Sequence, residues 1–585
     1  MKTLLFLLVL AIAVSRPARA QNTQLAFAQA AVVGATTSQT TNPLYVRGAA
    51  TDAQGNTYFT GIFGGTVSFG SFSLTGTSGY DVFVAKRDPA GNYLWAVQGG
   101  GLGDKQVRGL AVDAAGDVVV TGYFESRTAS FGSITLINAA QPTASPSNDV
   151  FVAKLSSSSH TWLWAVSAGG GTRINGDDSG TAVTVDVYGN VYVAGDFDSS
   201  VAFFGTGIQV ASTYPGDKNV FLAKLTSAGQ WVWAKGQDYL GYQASALSTD
   251  DYGNVYLTGS FSRRRVAFGS TVLTALPAGS FVAKIDGVGV WQWAQGLRPN
   301  LGTTPATMYA ARPDHRNAVY LAGYYVGDTL RLSDRTLLNA SNQDGQLRNV
   351  RASNGYVARL RADTGAWEWV VQTGGAGYEM LGAPQLDGAG HVLVAGGFND
   401  WPGPPGGGGT FGSTTLTSAN GGDMVVAQLD TAGRWLWARQ AGSPTTNNGS
   451  MLYGLDPLGR GLLWGVFRAA SAQLGTSMLI AYPGQTAPNY ATVFTAQLGA
   501  NSPLAIVKAP SPSDFTLFPN PARREVTTTG LRPGQAVQVL DALGRTVLRA
   551  TVPAQGDLHV LLPTTLPAGL YLVLAGAQTR RLVVE

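Results

Sequence analysis

The chain has 585 residues, of which 45% are hydrophobic and only 13% charged, with 76 glycines and no cysteine. The lack of cysteine excludes disulfides, thiolate metal sites and cysteine nucleophiles. A net charge of +4 over this length, with no basic run longer than Arg263-Arg264-Arg265, argues against nucleic acid as a partner.

Residues 1–20 have the form of a signal peptide. Lys2 supplies the positive start, residues 4–14 the apolar core, and Ala18-Arg19-Ala20 the small-x-small cleavage signal. The apolar run is too short to span a bilayer, and no later segment is apolar enough to do so. The mature chain is therefore expected to carry no transmembrane anchor and to be secreted or held at the outer cell surface.

One motif then recurs seven times: Asp, two residues, Gly or Asn, a polar residue, and a strand ending in Gly. Its copies start at Asp52, Asp113, Asp186, Asp250, Asp314, Asp387 and Asp456, spaced 61 to 73 residues apart. This is turn chemistry: the Asp carboxylate accepts from backbone two residues on, and the fourth position takes positive φ, which suits Gly, with Asn317 next best. Seven near-identical copies favour a structural role for these aspartates over calcium ligation or acid catalysis.

Three further elements keep register with the turn. A Phe-Gly-Ser step or variant lies at Phe69, Phe131, Phe204, Phe268, Leu332, Phe411 and Leu474. A Phe-Val-Ala-Lys strand starts at Phe83, Phe151, Phe221, Phe281, Tyr356, Val425 and Phe494. A strand with paired aromatics follows at Tyr93/Trp95, Trp162/Trp164, Trp231/Trp233, Trp291/Trp293, Trp367/Trp369 and Trp435/Trp437. Spacing of two predicts both rings on one side of the strand, facing the next repeat. These pairs hold 11 of the 13 tryptophans, so tryptophan here is mortar rather than a sugar platform.

Repeats of about four strands each, seven times over, read as propeller blades. The seventh copy lacks its aromatic strand, and Leu25-Ala26-Phe27-Ala28 matches the missing Trp-x-Trp-Ala, so the N-terminus is expected to complete the last blade. Over roughly residues 24–500 the chain resembles the bacterial SBBP seven-bladed β-propeller repeat family. That resemblance implies a fold and no single activity.

Residues 500–513 read as a Pro/Ser-containing linker, and residues 514–585 as seven short strands forming a small Ig-like β-sandwich. The expected architecture is thus all-β: a seven-bladed β-propeller over 21–499 and a small sandwich after it. The tail carries Phe518-Pro519-Asn520-Pro521, then Asp541-Ala542-Leu543-Gly544-Arg545, then Gly569-Leu570-Tyr571 and the basic strand Arg580-Arg581-Leu582-Val583-Val584. In this it resembles the type A C-terminal sorting domain of the type IX secretion system of Bacteroidetes. The final Glu585 departs from the basic ending common in that family. The resemblance implies type IX secretion machinery as a partner, with Pro519, Asn520, Pro521, Asp541, Gly544, Gly569, Tyr571, Arg580 and Arg581 as the motif it reads.

No catalytic set is visible. The four histidines lie in different repeats and the tail without metal-ligand spacing, so no metal, cofactor or catalytic residue is assigned. Acids that break the consensus, Asp177, Asp178, Glu368 and Glu379, leave a glycosidase-like pair open without grouping in sequence. Long insertions precede the Phe-Val-Ala-Lys strand at 138–148, 340–355 and 477–491, and others follow the Gly-terminated strand at Arg263–Arg265 and around Trp401. Sharing one topological position, these loops should share one face. Trp401 with Arg263, Arg264 and Arg265 is the candidate ligand face, suited to an acidic or sugar-like surface partner such as a polysaccharide. The expected protein is a monomer that binds, adheres or builds. The alternative is a secreted carbohydrate-active or other hydrolytic enzyme with acids at the propeller channel.

Overall fold

The computed structural model describes residues 27–584 apart from 34, 37–43, 53, 78, 140–146, 171–176, 213–217, 238–243, 262–264, 275–278, 300–305, 333–334, 340–352, 376–377, 388, 399–407, 418–422, 442–450, 456–461, 468–470, 475–476, 481–491, 499–515, 519–521, 530, 532, 542–545, 554–557, 564–565 and 576–577. The signal segment 1–20 and the linker 500–513 lie outside the described residues. All regular structure among those described is β-strand, and the chain divides into two compact units at residue 505.

In the larger unit each blade is a four-stranded antiparallel sheet. Blade 1 runs Leu44–Thr51, Thr57–Phe63, Asp81–Arg87 and Tyr93–Gly99 in spatial order. The Asp turn joins its first two strands. Asp52 Oδ1 accepts from the backbone N–H groups of Gln54 (3.0 Å) and Asn56 (2.8 Å), and Gly55 takes φ 92°. Asn317, standing where other repeats have Gly, holds φ 62°. The Phe-Gly-Ser step forms an extra hairpin, Thr66–Phe69 with Phe72–Thr75, between the second and third strands. Blades 2 to 6 repeat this order, with the first strand of blade 6 broken into Glu379–Leu381 and Gln385–Leu386.

The first strands of successive blades lie side by side. Their side chains are mostly part-exposed, as in Leu44–Thr51, whereas Thr57–Phe63 is buried throughout, so the first strands line the central axis. The glycine expected to end each second strand lies inside it, two residues before the end at Gly61, Gly122 and Gly195, and answers to crowding. The first strand bulges opposite it, and a Cβ on Gly122 or Gly195 would lie 1.8 Å from the Gln106 carbonyl oxygen or 2.0 Å from that of Ser179.

The aromatic pairs differ from expectation in one respect. In each of blades 1 to 6 a β-bulge separates the two rings, as between Lys154 and Leu155, where Trp164 sits opposite Lys154 and Trp162 opposite Leu155. Because Lys154 and Leu155 point to opposite faces, so do the two rings. Trp162 packs on Phe131 of its own hairpin (ring centres 4.9 Å apart) and its Nε1–H donates back to Gln98 O of blade 1 (3.0 Å). Trp164 faces forward and donates to Ser227 O of blade 3 (2.9 Å). Each blade therefore contributes one ring to the core behind it and one to the core ahead: Trp231 joins the core of blades 2 and 3, Trp233 that of blades 3 and 4.

The forward junction is reinforced by polar groups of the repeat. Lys284 Nζ and Trp293 Nε1 both donate to Ala362 O of the next blade, at 2.9 and 3.0 Å, while Lys284 stays 3.6 Å from the turn Asp250. Lys224 and Trp233 reach Gly287 O in the same way, at 2.8 and 3.4 Å. On the other face, the end of each fourth strand meets the next blade's hairpin, as in the Gly100–Ser130 and Gly169–Phe203 bridges.

The ring closes through the N-terminus. Blade 7 orders Met451–Leu455, Leu462–Phe467 and Thr492–Leu498, and its outer strand is Phe27–Val32. The register is two residues further along than the sequence match placed it. Ala30, not Ala28, sits opposite Ala496, as Ala96 sits opposite Ala85, so Phe27 takes the first-ring position. A two-residue slip preserves which side chains face which side, so apolar pattern alone does not separate the two registers. Ala35–Thr36 then pairs with Thr66–Phe69, the hairpin of blade 1.

The second unit has a three-stranded sheet (Thr516–Phe518, Glu525–Thr529, Leu558–Leu561) and a four-stranded sheet (Thr546–Thr551, Ala536–Leu540, Gly569–Ala575, Gln578–Val584). Val526, Val560, Val537, Val539, Val573 and Leu582 form its core, drawn from both sheets.

Deleting residues 27–36 would open two edges, at Thr492–Leu498 and Thr66–Phe69. A loss of about 3 kcal/mol or more is expected in urea and thermal melts. An unchanged midpoint would refute closure by this strand.

Candidate functional site

The second strands end in a large ring where the hairpins leave the blade: Phe63, Phe124, Phe197, Phe261, Tyr325 and Phe398. Two positions flank each ring. Opposite on the third strand stand Asp81, Asp149, Asn219, Gly279, Asn354 and Asp423. On the first-strand side stand Leu44, Lys105, Asp178, Ala306 and Glu379, each eight residues ahead of its turn Asp. Where both are described, the third-strand position of one blade meets the first-strand position of the next, as between blades 1 and 2, 2 and 3, 4 and 5, and 5 and 6.

Between blades 1 and 2 the pair is ionic. Lys105 Nζ lies 3.5 Å from Asp81 Oδ1, with side chains 1% and 0% exposed. The ammonium also donates to the carbonyls of Gly101, Leu102 (3.1 Å) and Gly103 (2.7 Å). Burial pulls the lysine's pKa down and Asp81 opposes that pull, so the cleft is electrically closed.

Between blades 2 and 3 the same positions hold two acids. Asp149, 1% exposed, accepts from Ala139 N–H through Oδ2 (2.6 Å), while its buried Oδ1 has no partner among the described residues. Asp178, also 1% exposed, accepts from Gly170 N–H (2.7 Å). A Cβ on Gly169 would lie 2.3 Å from Asp149 Oδ1, so the two carboxylates share the Gly169-Gly170 pair. Burial lifts Asp149 to about 7 and holds Asp178 well above the usual carboxylate range, and the Asp149 charge raises Asp178 further. At the rim, burial lifts Asp198 to about 6 and raises Asp196, which is offset by Lys218 at 3.0 Å.

Between blades 5 and 6 Glu379 is fully buried with neither carboxylate oxygen paired among the described residues, and burial raises its pKa well above normal. Asp178 and Glu379 thus occupy equivalent positions in separate clefts and do not converge. Glu368 is held by Arg359 at 3.0 Å. The four histidines stay apart: His315 pairs with Asp251, His391 with Asp387, His559 with Thr527, and His160 packs on Trp95. Among the described residues no group of three or more His, Asp or Glu side chains is arranged to hold a metal.

Of the candidate ligand face, Trp401, Arg263 and Arg264 lie outside the described residues. Arg265 opens the hairpin strand Arg265–Phe268, exposed and opposite Thr274. In sequence, the two segments fall between a second strand and a hairpin strand, after Phe261 and before Arg265 in one blade and after Phe398 and before Gly408 in the other. In the tail, Pro519, Asn520, Pro521 and Gly544 are outside the described residues. Asp541 follows Ala536–Leu540, Gly569 opens Gly569–Ala575, and Arg580 and Arg581 pair with Val573 and Leu572. Tyr571 is buried and donates to Pro567 O at 2.8 Å.

No protein-family model matches the chain. An uncharacterized WD repeat-containing protein of Acanthamoeba polyphaga mimivirus is 26% identical over 244 residues, which is 37% of this chain and 17% of that protein's length. Solved structures similar to it include the Dos1 propeller (8% identity, TM-score 0.36, covering 79% of this chain and 96% of that one) and the NanB sialidase of Streptococcus pneumoniae (8% identity, TM-score 0.34, covering 80% and 70%). At these scores the likenesses carry no argument about function, and the propeller rests on the chain's own strand pairing.

A carboxyl with a raised folded-state pKa stabilises the fold while protonated and loses that contribution as pH rises from the unfolded value, near 4.3 for Glu, through the folded one. Glu379→Gln should therefore gain on the parent with rising pH, by up to about 1.4 kcal/mol per pH unit within that window. Urea melts at pH 5, 6.5 and 8 read the difference. Parallel pH profiles would show that Glu379 finds a partner.

Proposed function

We propose that the chain is an exported propeller that binds or builds at the outer surface or in the medium, through loops of one face, and that its C-terminal sandwich directs type IX secretion. One observation carries the binding reading. The repeat's own Trp, Tyr, Asp and Lys side chains are used in turns and blade junctions, as at Tyr256, Asp250, Lys284 and Trp293. The segments of irregular length, by contrast, lie between the second and third strands and between a fourth strand and the next blade's first, connections that share one end of the antiparallel blades. Chemistry free to vary is thereby confined to one face.

A hydrolase would need two carboxylates set across an open substrate site. Asp149 and Asp178 do meet, but both are closed inside a blade junction. The export reading is supported by the signal-peptide form of residues 1–20 and the ordered motifs of the tail. No helix among the described residues is long and apolar enough to cross a membrane.

Two outcomes are expected. Truncation at residue 513 should leave the propeller folded and retained inside the outer membrane, read by surface proteolysis and fractionation. Normal arrival at the surface without the tail would end the sorting role. Second, Trp401→Ala and a triple Arg263/Arg264/Arg265→Ser variant should weaken binding to an anionic polysaccharide by about tenfold or more with an unchanged melting point. Equal binding by parent and variants would remove this face, and a lowered melting point for Trp401→Ala would make that ring a structural cap.

A further inference from the structure

The internal repeat supplies its own comparison. One cleft position is filled by an ammonium between blades 1 and 2 and by a carboxylate between blades 2 and 3. Ionised, the first cleft sums to zero (Asp81 −1, Lys105 +1) and the second to −2 (Asp149 −1, Asp178 −1). The exchange of Lys105 for Asp178 removes one positive charge and adds one negative at the same spot, a change of −2. Among the described residues Asp149 Oδ1 and Ser147 Oγ, two residues before it, are buried without a partner, while Asp178 accepts from Gly170 N–H at 2.7 Å and from Ser199 Oγ at 3.4 to 3.5 Å. Orphaned buried oxygens together with excess negative charge call for a positive ligand.

We propose that a calcium ion binds between blades 2 and 3, held by the Asp149 and Asp178 carboxylates in the place that Lys105 takes in the preceding cleft. The donors are all hard oxygens, the set that calcium prefers. The missing charge is +2. Calcium tolerates irregular geometry and completes its six to eight ligands with backbone carbonyls and water, so two carboxylates suffice to anchor it. Bound there, the ion would join the third strand of one blade to the first strand of the next, as the Lys105–Asp81 pair does one junction earlier. The site would serve the integrity of the ring and is independent of what the loops bind.

The test uses the full mature chain, stripped with a chelator and dialysed at pH 7.5. Calcium should raise the melting point by several degrees with half-saturation between micromolar and millimolar, and isothermal titration should detect binding; magnesium should be much weaker. Asp149→Asn should abolish this saturable shift. Asp178→Lys, which rebuilds the ammonium of the neighbouring cleft, should abolish it while melting at or above the calcium-free parent. No calcium binding by the parent would overturn the proposal. So would a calcium shift that survives in Asp178→Lys, since the ion would then sit elsewhere. A parent indifferent to calcium whose stability falls as pH rises would instead show that the two carboxylates share protons, and that too would overturn it.

Discussion

Everything in the propeller depends on the bulge that separates the two rings of each fourth strand. A flat strand would put both rings on one side, giving every blade one greasy face and one poor one. Turning them to opposite sides makes each blade both giver and receiver. The backward ring closes over its own hairpin phenylalanine, as Trp162 does on Phe131, and the forward ring packs on the second-strand tyrosine, as Trp293 does on Tyr256. The indole N–H groups then finish both junctions on backbone carbonyls. Buried aromatics with satisfied polar edges combine large apolar burial with directional bonds, which matters in a chain without disulfides.

The architecture was legible because its markers are local. Asp at a turn, Gly or Asn at positive φ, and alternating strands depend on neighbours within a few residues, so seven copies spell out seven blades. The bulge was not legible, because spacing of two carries no mark of the extra residue that flips a face. The register of Phe27–Val32 was missed for a related reason: Leu25-Ala26-Phe27-Ala28 and Phe27-Ala28-Gln29-Ala30 share parity and a closing alanine. The glycine near the end of each second strand was visible, but its cause, a carbonyl where a Cβ would sit, belongs to the neighbouring strand.

The cleft positions were harder still. Lys105, Asp178 and Glu379 share an offset of eight residues before the turn aspartate, and that offset is a usable signal. It is hidden because the position is filled by Leu44 and Ala306 in other blades, so no residue type recurs. Variation at a buried position within a regular repeat is itself informative. A ring of similar sheets can be assembled in the wrong order, and burying a different polar pair in each junction penalises mismatched neighbours through uncompensated charge.

The outer strand of blade 7 also bears on the order of events during folding. Val32 meets Phe494, 494 − 32 = 462 residues away, while Ala35 meets Ser68 only 68 − 35 = 33 residues on. The short-range contact becomes available as soon as blade 1 exists. It parks the first-made strand against the rim while the remaining blades are still being added. When Thr492–Leu498 arrives, its partner is tethered nearby by Ala35–Thr36, and the search is shorter than for a free chain end. The longest-range pairing of the ring is thereby prepared by a short-range one, with Ala35–Thr36 holding the adjoining Phe27–Val32 near the edge it will complete.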